Sequence, residues 1–280
     1  MQGSPRGEAP REEMTTILKL GGELLEDAAA MRLAAEAIAA LRETGPVAVV
    51  HGGGRAIDAD LKARGKAPRF VDGLRVTDED TLSTVVAVLA GRINTAFVGA
   101  LAAAGVKAVG LTGADASLGL STLAPPLQTT SGDTADLGFV GVPASAAPAV
   151  LLTDLLALGY VPVIASIGVT AAGELLNVNA DTLAAHLAAS LGARRLVIAG
   201  GTSGVLDEAG RTIARLDSRH AARMIKAGTA NKGMVAKLEA CRSALRKGVG
   251  DVLIANGREV ALDTLASAKG PLAGCTQVVR

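Results

Sequence analysis

Aromatic side chains are almost missing: 280 residues include no Trp, one Tyr and three Phe. Stacking of nucleic-acid bases on aromatic platforms is therefore not an expected binding mode. An excess of either charge is missing too. The formal net charge is +1, so no global field draws the chain to nucleic acid or to an anionic membrane. Cys241 and Cys275 are the only cysteines, and neither belongs to a C-x-x-C pair. A zinc knuckle or disulfide framework is not indicated, and both thiols are expected to be buried and inert. His51, His186 and His220 are scattered without ligand spacing, so no metal site is expected. No uninterrupted 18-residue apolar span free of turn signals occurs, and no membrane span is expected. Residues 1–14 are rich in Gly, Pro, Arg and Glu and lack the apolar stretch of a secretory signal. They read as a disordered leader, with cytoplasmic location as the expectation.

The familiar nucleotide and hydrolase motifs are absent as well. There is no G-x-x-x-x-G-K-[ST] loop and no G-x-S-x-G elbow. The run from His51 to Ile57 lacks the third glycine of a dinucleotide fingerprint, which weighs against a dehydrogenase.

What is present is an alternation of apolar runs with Ala/Leu-rich segments, the signature of parallel βαβ units. Hydrophobic residues make up 49%, enough for a sizeable core. Strands are predicted at Thr15–Leu20, Val47–Val50, Val106–Leu111, Tyr160–Ala165, Arg195–Ala199, Asp251–Ala255 and Thr276–Val279, with a short extended piece at Glu174–Val178. Helices are predicted at Ala28–Glu43, Arg55–Arg64, Pro148–Leu158, Asp181–Leu191, Ser218–Ala227 and Lys232–Lys247. Thr77-Asp78-Glu79-Asp80 starts another helix, which runs through Ala87 with Gly105 as its furthest stop. Between Gly113 and Val142 the pattern breaks into short runs, read as a hairpin-rich excursion beside the site.

Two glycine turns follow apolar runs: Lys19-Leu20-Gly21-Gly22 and His51-Gly52-Gly53-Gly54. At the carboxyl ends of parallel strands such turns let backbone N–H groups surround an anion. Lys19 adds a point charge suited to phosphate. Arg75 stands between a glycine turn and a helix start, where it can hold a carboxylate or lie on the surface. Asn177 and Asn179 share one face of an extended run. Asp181 either caps the following helix or acts in a site. Lys237 falls in the first turns of its helix. His51 reads as a residue that bonds backbone near the site rather than as an acid–base group.

Six segments in order resemble the amino-acid kinase family, most closely its acetylglutamate kinase branch. They are Lys-Leu-Gly-Gly at 19–22, His-Gly-Gly-Gly at 51–54 and Gly-Leu-Arg-Val-Thr-Asp at 73–78. Asp-Leu-Gly-Phe-Val-Gly at 136–141, Asn-Val-Asn-Ala-Asp at 177–181 and Gly-Met-Val-Ala-Lys at 233–237 complete the set. The resemblance runs from about Thr15 to the C-terminus. It implies an α/β three-layer αβα sandwich with an open, mainly parallel central sheet. It also implies transfer of the γ-phosphoryl of ATP to the side-chain carboxylate of N-acetyl-L-glutamate, a step of arginine biosynthesis.

By the same resemblance, Lys19 and Lys237 flank the phosphoryl as catalytic residues and Asp181 orients them. Gly53, Gly54, Arg75, Asn177 and Asn179 bind the amino-acid substrate. Gly21, Gly22, Gly200, Gly201, Thr202, Ser203, Gly204, Thr229, Ala230 and Asn231 bind ATP. Mg²⁺ arrives with ATP, and no tightly bound cofactor is implied. Residues 15–176 are expected to form the amino-acid lobe and 177–280 the ATP lobe. Gly3, Pro5, Gly7 and Pro10 disfavour the N-terminal helix of hexameric members, so an arginine-insensitive homodimer is expected. One departure stands out: Ala199-Gly200-Gly201 replaces the family's usual Leu-Thr-Asp. Two alternatives stay open, a kinase of carrier-linked α-aminoadipate and a non-catalytic amino-acid sensor.

Overall fold

The computed structural model describes residues 15–129, 132–144, 149–230, 232–267, 270 and 272–280. The expected leader 1–14, Pro148 and Asn231 lie outside them.

Eight strands make the central sheet: β1 (Thr16–Leu20), β2 (Val47–His51), β3 (Ala108–Thr112), β4 (Val161–Ala165), β5 (Arg195–Gly200), β6 (Arg215–Asp217), β7 (Asp251–Asn256) and β8 (Cys275–Val279). Their order is β6-β8-β7-β5-β1-β2-β4-β3, and only the β7–β8 pair is antiparallel. The helices are α1 (Ala28–Arg42), α2 (Gly54–Ala63), α3 (Glu79–Ala103), α4 (Val150–Ala157), α5 (Ala180–Ser190), α6 (Ser218–Ala227), α7 (Lys232–Arg246) and α8 (Leu262–Ser267).

The inner strands β1, β2, β4, β5 and β7 are buried on both faces, which explains why they read as continuous apolar runs. Alternate side chains enter opposite layers. Leu18, Leu20, Val49 and Val197 pack against Ile38 of α1, Phe97 of α3 and Leu265 of α8. Ile17, Val50 and Ile198 pack against Leu183 of α5 and Leu238 and Cys241 of α7. The fold is thus the expected three-layer sandwich. Cys241 and Cys275 are both free and buried, and burial pushes the Cys241 thiol up.

Helix α3 extends past Ala87 without a break. Asp78 caps it, accepting the Thr81 N–H at 2.9 Å. By length and composition α3 is long and apolar enough to cross a membrane. The expectation of no membrane span rested on finding no uninterrupted 18-residue apolar run free of turn signals, and α3 contains Gly91, Arg92 and Gly99. Here both glycines sit inside the helix, and the row Val85, Leu89, Ile93, Phe97 and Leu101 is buried against the core. Residues 87–94 form a π-helical stretch, an arrangement concentrated at functional sites.

The excursion at 113–142 does form short strands. Ser121–Leu123 and Val140–Pro143 join Leu175–Val178 and Ile167–Val169 in a second, four-stranded sheet. The expected boundary at 176/177 falls inside the strand Leu175–Val178. Elements absent from the sequence reading are the strands Arg215–Asp217 and Ile167–Val169, helix α8 and a hairpin at 70–75.

Candidate active site

The parity of β1 decides where Lys19 points. Lys19 and Ile17 share a face, and Ile17 packs among side chains of α5 and α7. Lys19 therefore faces those two helices. Helix α5 is capped by Asn179, whose Oδ1 accepts the Thr182 N–H at 3.1 Å and the Thr182 hydroxyl at 3.3 Å. The capping alternative for Asp181 is thereby taken by Asn179. Asp181, in the first turn, is free to meet the lysines. Its Oδ1 lies 2.9 Å from Lys19 Nζ and its Oδ2 accepts a hydrogen bond from Lys237 Nζ at 3.0 Å. Asp181 is 4% exposed and Lys19 7%. Burial works to raise the Asp181 carboxyl, but the two ammonium groups outweigh it and hold the group below the usual carboxylate range. Two cations bridged by one anion leave a net positive centre, with further N–H donors on each lysine.

The two glycine turns touch each other at this edge of the sheet. Gly21 N–H donates to Ala199 O at 2.8 Å, and Gly52 N–H to Leu20 O at 3.3 Å. A Cβ on Gly22 would lie 2.9 Å from Gly53 Cα, and one on Gly53 would strike the side chains of Ile93 and Leu89. Neither position has room for a side chain. Gly53 and Gly54 open α2, and the first N–H groups of a helix have no partner within it, which suits an anion.

Arg75 is fixed on three sides. Its Nη1 lies 2.6 Å from Asp58 Oδ1, its Nη2 donates to Gly54 O at 3.2 Å, and the guanidinium stacks 4.7 Å from the Phe70 ring centroid. Only 8% of its side chain is exposed, which excludes the surface reading. A tight hairpin presents it: Phe70–Val71 pairs with Leu74–Arg75, and Asp72 and Gly73 both take positive φ. Asn177 Nδ2 donates to Thr77 Oγ1 at 3.0 Å. The 136–141 segment is threaded between these two chains. Thr77 N–H donates to Leu137 O, Phe139 N–H to Thr77 O, and Asn177 N–H to Phe139 O. A Cβ on Gly138 would collide with Thr77 O. The arginine hairpin and the Asn177 strand are thus tied into one patch.

The 200–204 loop leaves the end of β5, beside β1. Gly201 N–H donates to Glu23 Oε1, and Ser203 Oγ donates to Glu259 Oε2 at 2.9 Å. Thr202 O accepts the Gly204 N–H at 2.8 Å, and Gly204 has φ +75° with the Thr276 hydroxyl against it. Thr229 closes α6: its N–H and its hydroxyl both donate to Met224 O at 3.2 Å. Ala230 packs against the α5–α7 core.

His51 is fully buried. Its Nε2 faces Asn94 Nδ2 at 3.0 Å, and Asn94 also donates to Val163 O at 2.9 Å. Loss of water holds the His51 pKa down to about 4, so it is neutral and pins the turn rather than moving protons. Among the described residues no cluster of metal-ligating side chains occurs. Asp58, Phe70, Asn94 and Glu23 support the site without having been singled out in the sequence, and Thr77, read there only as part of a helix start and of the 73–78 motif, supports it too. Of these only the Asp72-Gly73 turn, a strong hairpin signal, pointed to Phe70 opposite Arg75.

A mainly parallel sheet with a lysine–aspartate–lysine bridge at its carboxyl edge defines a class, and comparison with known proteins agrees. Residues 14–256 match the amino acid kinase family, and the chain belongs to it. Its relatives include proteins named acetylglutamate kinase. That of Methanoculleus marisnigri is 41% identical over 249 residues, covering 87% of this chain and 86% of its own. That of Novosphingobium aromaticivorans is 42% identical over 255 residues, covering 87% and 84%. Among solved structures, the N-acetylglutamate synthase of Neisseria gonorrhoeae superposes with a TM-score of 0.77 at 24% identity. That match covers 95% of this chain but only 59% of the synthase. The carbamate kinase of Giardia gives 0.67 at 13% identity, covering 96% and 100%. These two show the shared fold.

Proposed function

We propose that this chain transfers the γ-phosphoryl of ATP to the side-chain carboxylate of N-acetyl-L-glutamate, giving N-acetyl-L-glutamyl 5-phosphate in arginine biosynthesis. The observation that carries this reading is the Lys19–Asp181–Lys237 bridge. The attacking carboxylate is already ionised at neutral pH, so the reaction needs no general base. It needs alignment and neutralisation of charge on the travelling phosphoryl. Lys19 and Lys237 supply that charge from opposite helical and strand elements, and Asp181 sets their direction.

Arg75 and Asn177 are assigned to the α-carboxylate end of the substrate. Asn179 contributes through the start of α5, which it caps. Gly22, Gly53 and Gly54 provide backbone donors near the phosphoryl, whereas Gly21, whose N–H is engaged by Ala199 O, allows only close approach. Gly200 to Gly204, Thr229 and Ala230 are assigned to ATP, which carries its Mg²⁺ with it. In this reading 15–176 holds the amino acid, with Asn177 and Asn179 completing its site, and the rest of 177–280 holds the nucleotide, and the enzyme works as a cytoplasmic homodimer. Light scattering tests the dimer. A hydroxamate assay with ATP, Mg²⁺ and N-acetyl-L-glutamate tests the reaction. Acyl phosphate is expected from this substrate and not from carrier-linked α-aminoadipate, and no product from either would refute the assignment.

A further inference from the structure

Glu23 is a charged side chain that the reading above leaves without a task. It stands on the single helical turn Gly22–Leu24, directly after the first glycine turn. Its Oε1 accepts the Gly201 N–H. A Cβ built on Gly21 would lie 2.6 Å from Glu23 Cδ, and one on Gly200 2.9 Å from Glu23 Oε1. The carboxylate therefore fills a notch walled by three glycines at the carboxyl ends of β1 and β5. No lysine or arginine pairs with it among the described residues. Arg258 Nη2 donates instead to the Glu23 carbonyl oxygen at 2.7 Å and to Glu26 Oε2 at 2.9 Å. An anion without a cationic partner, on a backbone N–H in a glycine-walled notch, is placed as a phosphate oxygen would be. Two anions cannot share that N–H at ordinary strength.

We propose that Glu23 sets the phosphate affinity of the nucleotide subsite. Its carboxylate occupies the Gly201 N–H until a nucleotide phosphate displaces it, and its charge opposes the phosphate chain. This rests on the assignment of 200–204 to the nucleotide. Glu23→Gln keeps the shape and the acceptor oxygen and removes the charge. The test is calorimetric titration with Mg²⁺-free ADP at 20 and 200 mM KCl. The variant is expected to bind ADP about three- to tenfold tighter at low salt, with the gain shrinking at high salt as the charges are screened. A purely structural role would not give a salt-dependent gain. Glu23→Ser, which removes the charge by another route, is expected to change affinity in the same direction. If the wild type binds ADP and neither variant binds it more tightly, the proposal is overturned alone. If wild type and variants all fail to bind ADP, the nucleotide assignment is overturned and the proposal with it.

Discussion

Replacing Asp181 by Asn removes a charge and keeps the shape, so it isolates the electrostatic role of the bridge. The Asp181 side chain is 5% exposed, and its two oxygens each serve one ammonium group, at 2.9 and 3.0 Å. An amide can accept from one lysine only; its NH₂ end faces the other as a donor. The centre then carries two cations and no anion. Removing one partner of a buried ion pair costs about 3–5 kcal/mol, because the remaining charge loses its compensation. Lys237 is 18% exposed on its side chain and can relax toward water, which puts the expected loss near the lower end. Urea unfolding at pH 7 should thus show Asp181→Asn about 3 kcal/mol less stable than the wild type. The control is Lys19→Met with Asp181→Leu and Lys237→Met together, which replaces all three charges by apolar side chains of similar volume. Such replacements of buried ionic groups are often neutral or stabilising, so the triple variant should recover most of the loss. In the hydroxamate assay, Asp181→Asn should lose about 10²–10³ in kcat, because neither lysine is held in place. A variant within about 0.5 kcal/mol of the wild type, or a triple variant no more stable than the single one, would refute the reasoning.

Gly22→Ala should destabilise by about 1–3 kcal/mol, because its Cβ would lie 2.9 Å from the Gly53 backbone, which cannot rotate away; thermal unfolding checks this against Gly65→Ala, where nothing lies within 4 Å but φ is +74°. Arg75→Lys should raise KM for acetylglutamate about tenfold or more with a smaller change in kcat, since lysine loses the planar fork held by Asp58 and Phe70; steady-state kinetics with saturating ATP decide it. His51 predicts a pH dependence of stability. Its folded pKa of about 4 lies below the unfolded value of 6.5, so between them the unfolded chain binds a proton that the native chain does not. The contribution is complete above pH 6.5 and is lost as pH falls to about 4, by about 3 kcal/mol in all. Urea unfolding at pH 7.5, 5.5 and 4.5 should show a flatter slope in His51→Asn, and an unchanged slope would assign the effect elsewhere.

Much of the architecture was legible because it is written locally. Val47–His51 and Arg195–Gly200 are continuous apolar runs with breakers at their ends, and both lie within a residue of the predicted spans. Helix α1 ends at Arg42, one residue short of the predicted end, and α6 at the predicted Ala227 with Gly228 as its left-handed cap. The misses have physical causes. Helix α3 is not among them: it reaches Ala103, short of the predicted furthest stop at Gly105, and burial of the row from Val85 to Leu101 outweighs the weak helix propensity of Gly91 and Gly99. The hairpin at 70–75 has strands of two residues, too short to show an alternating pattern, although Asp72-Gly73 marked its turn. The 200–204 loop was read by its missing side chains; that Glu23 brings a carboxylate to it from another strand end had no local signal.

The sequence by itself determined the order of βαβ units, the residue types needed for phosphoryl chemistry and the positions where glycine turns meet strand ends. Only the tertiary structure decided which of those residues act together. The strand order β5-β1-β2 sets the two glycine turns and the 200–204 loop side by side, and the contact of Gly22 with Gly53 follows from that order rather than from either turn. The parity of β1 sends Lys19 toward α5 and α7, and Asn179 takes the cap that would otherwise engage Asp181. Lys19, Asp181 and Lys237 lie far apart along the chain, and no local pattern encodes a distance between them. It is the burial of two helices on one face of a twisted parallel sheet that closes the gap to hydrogen-bond length.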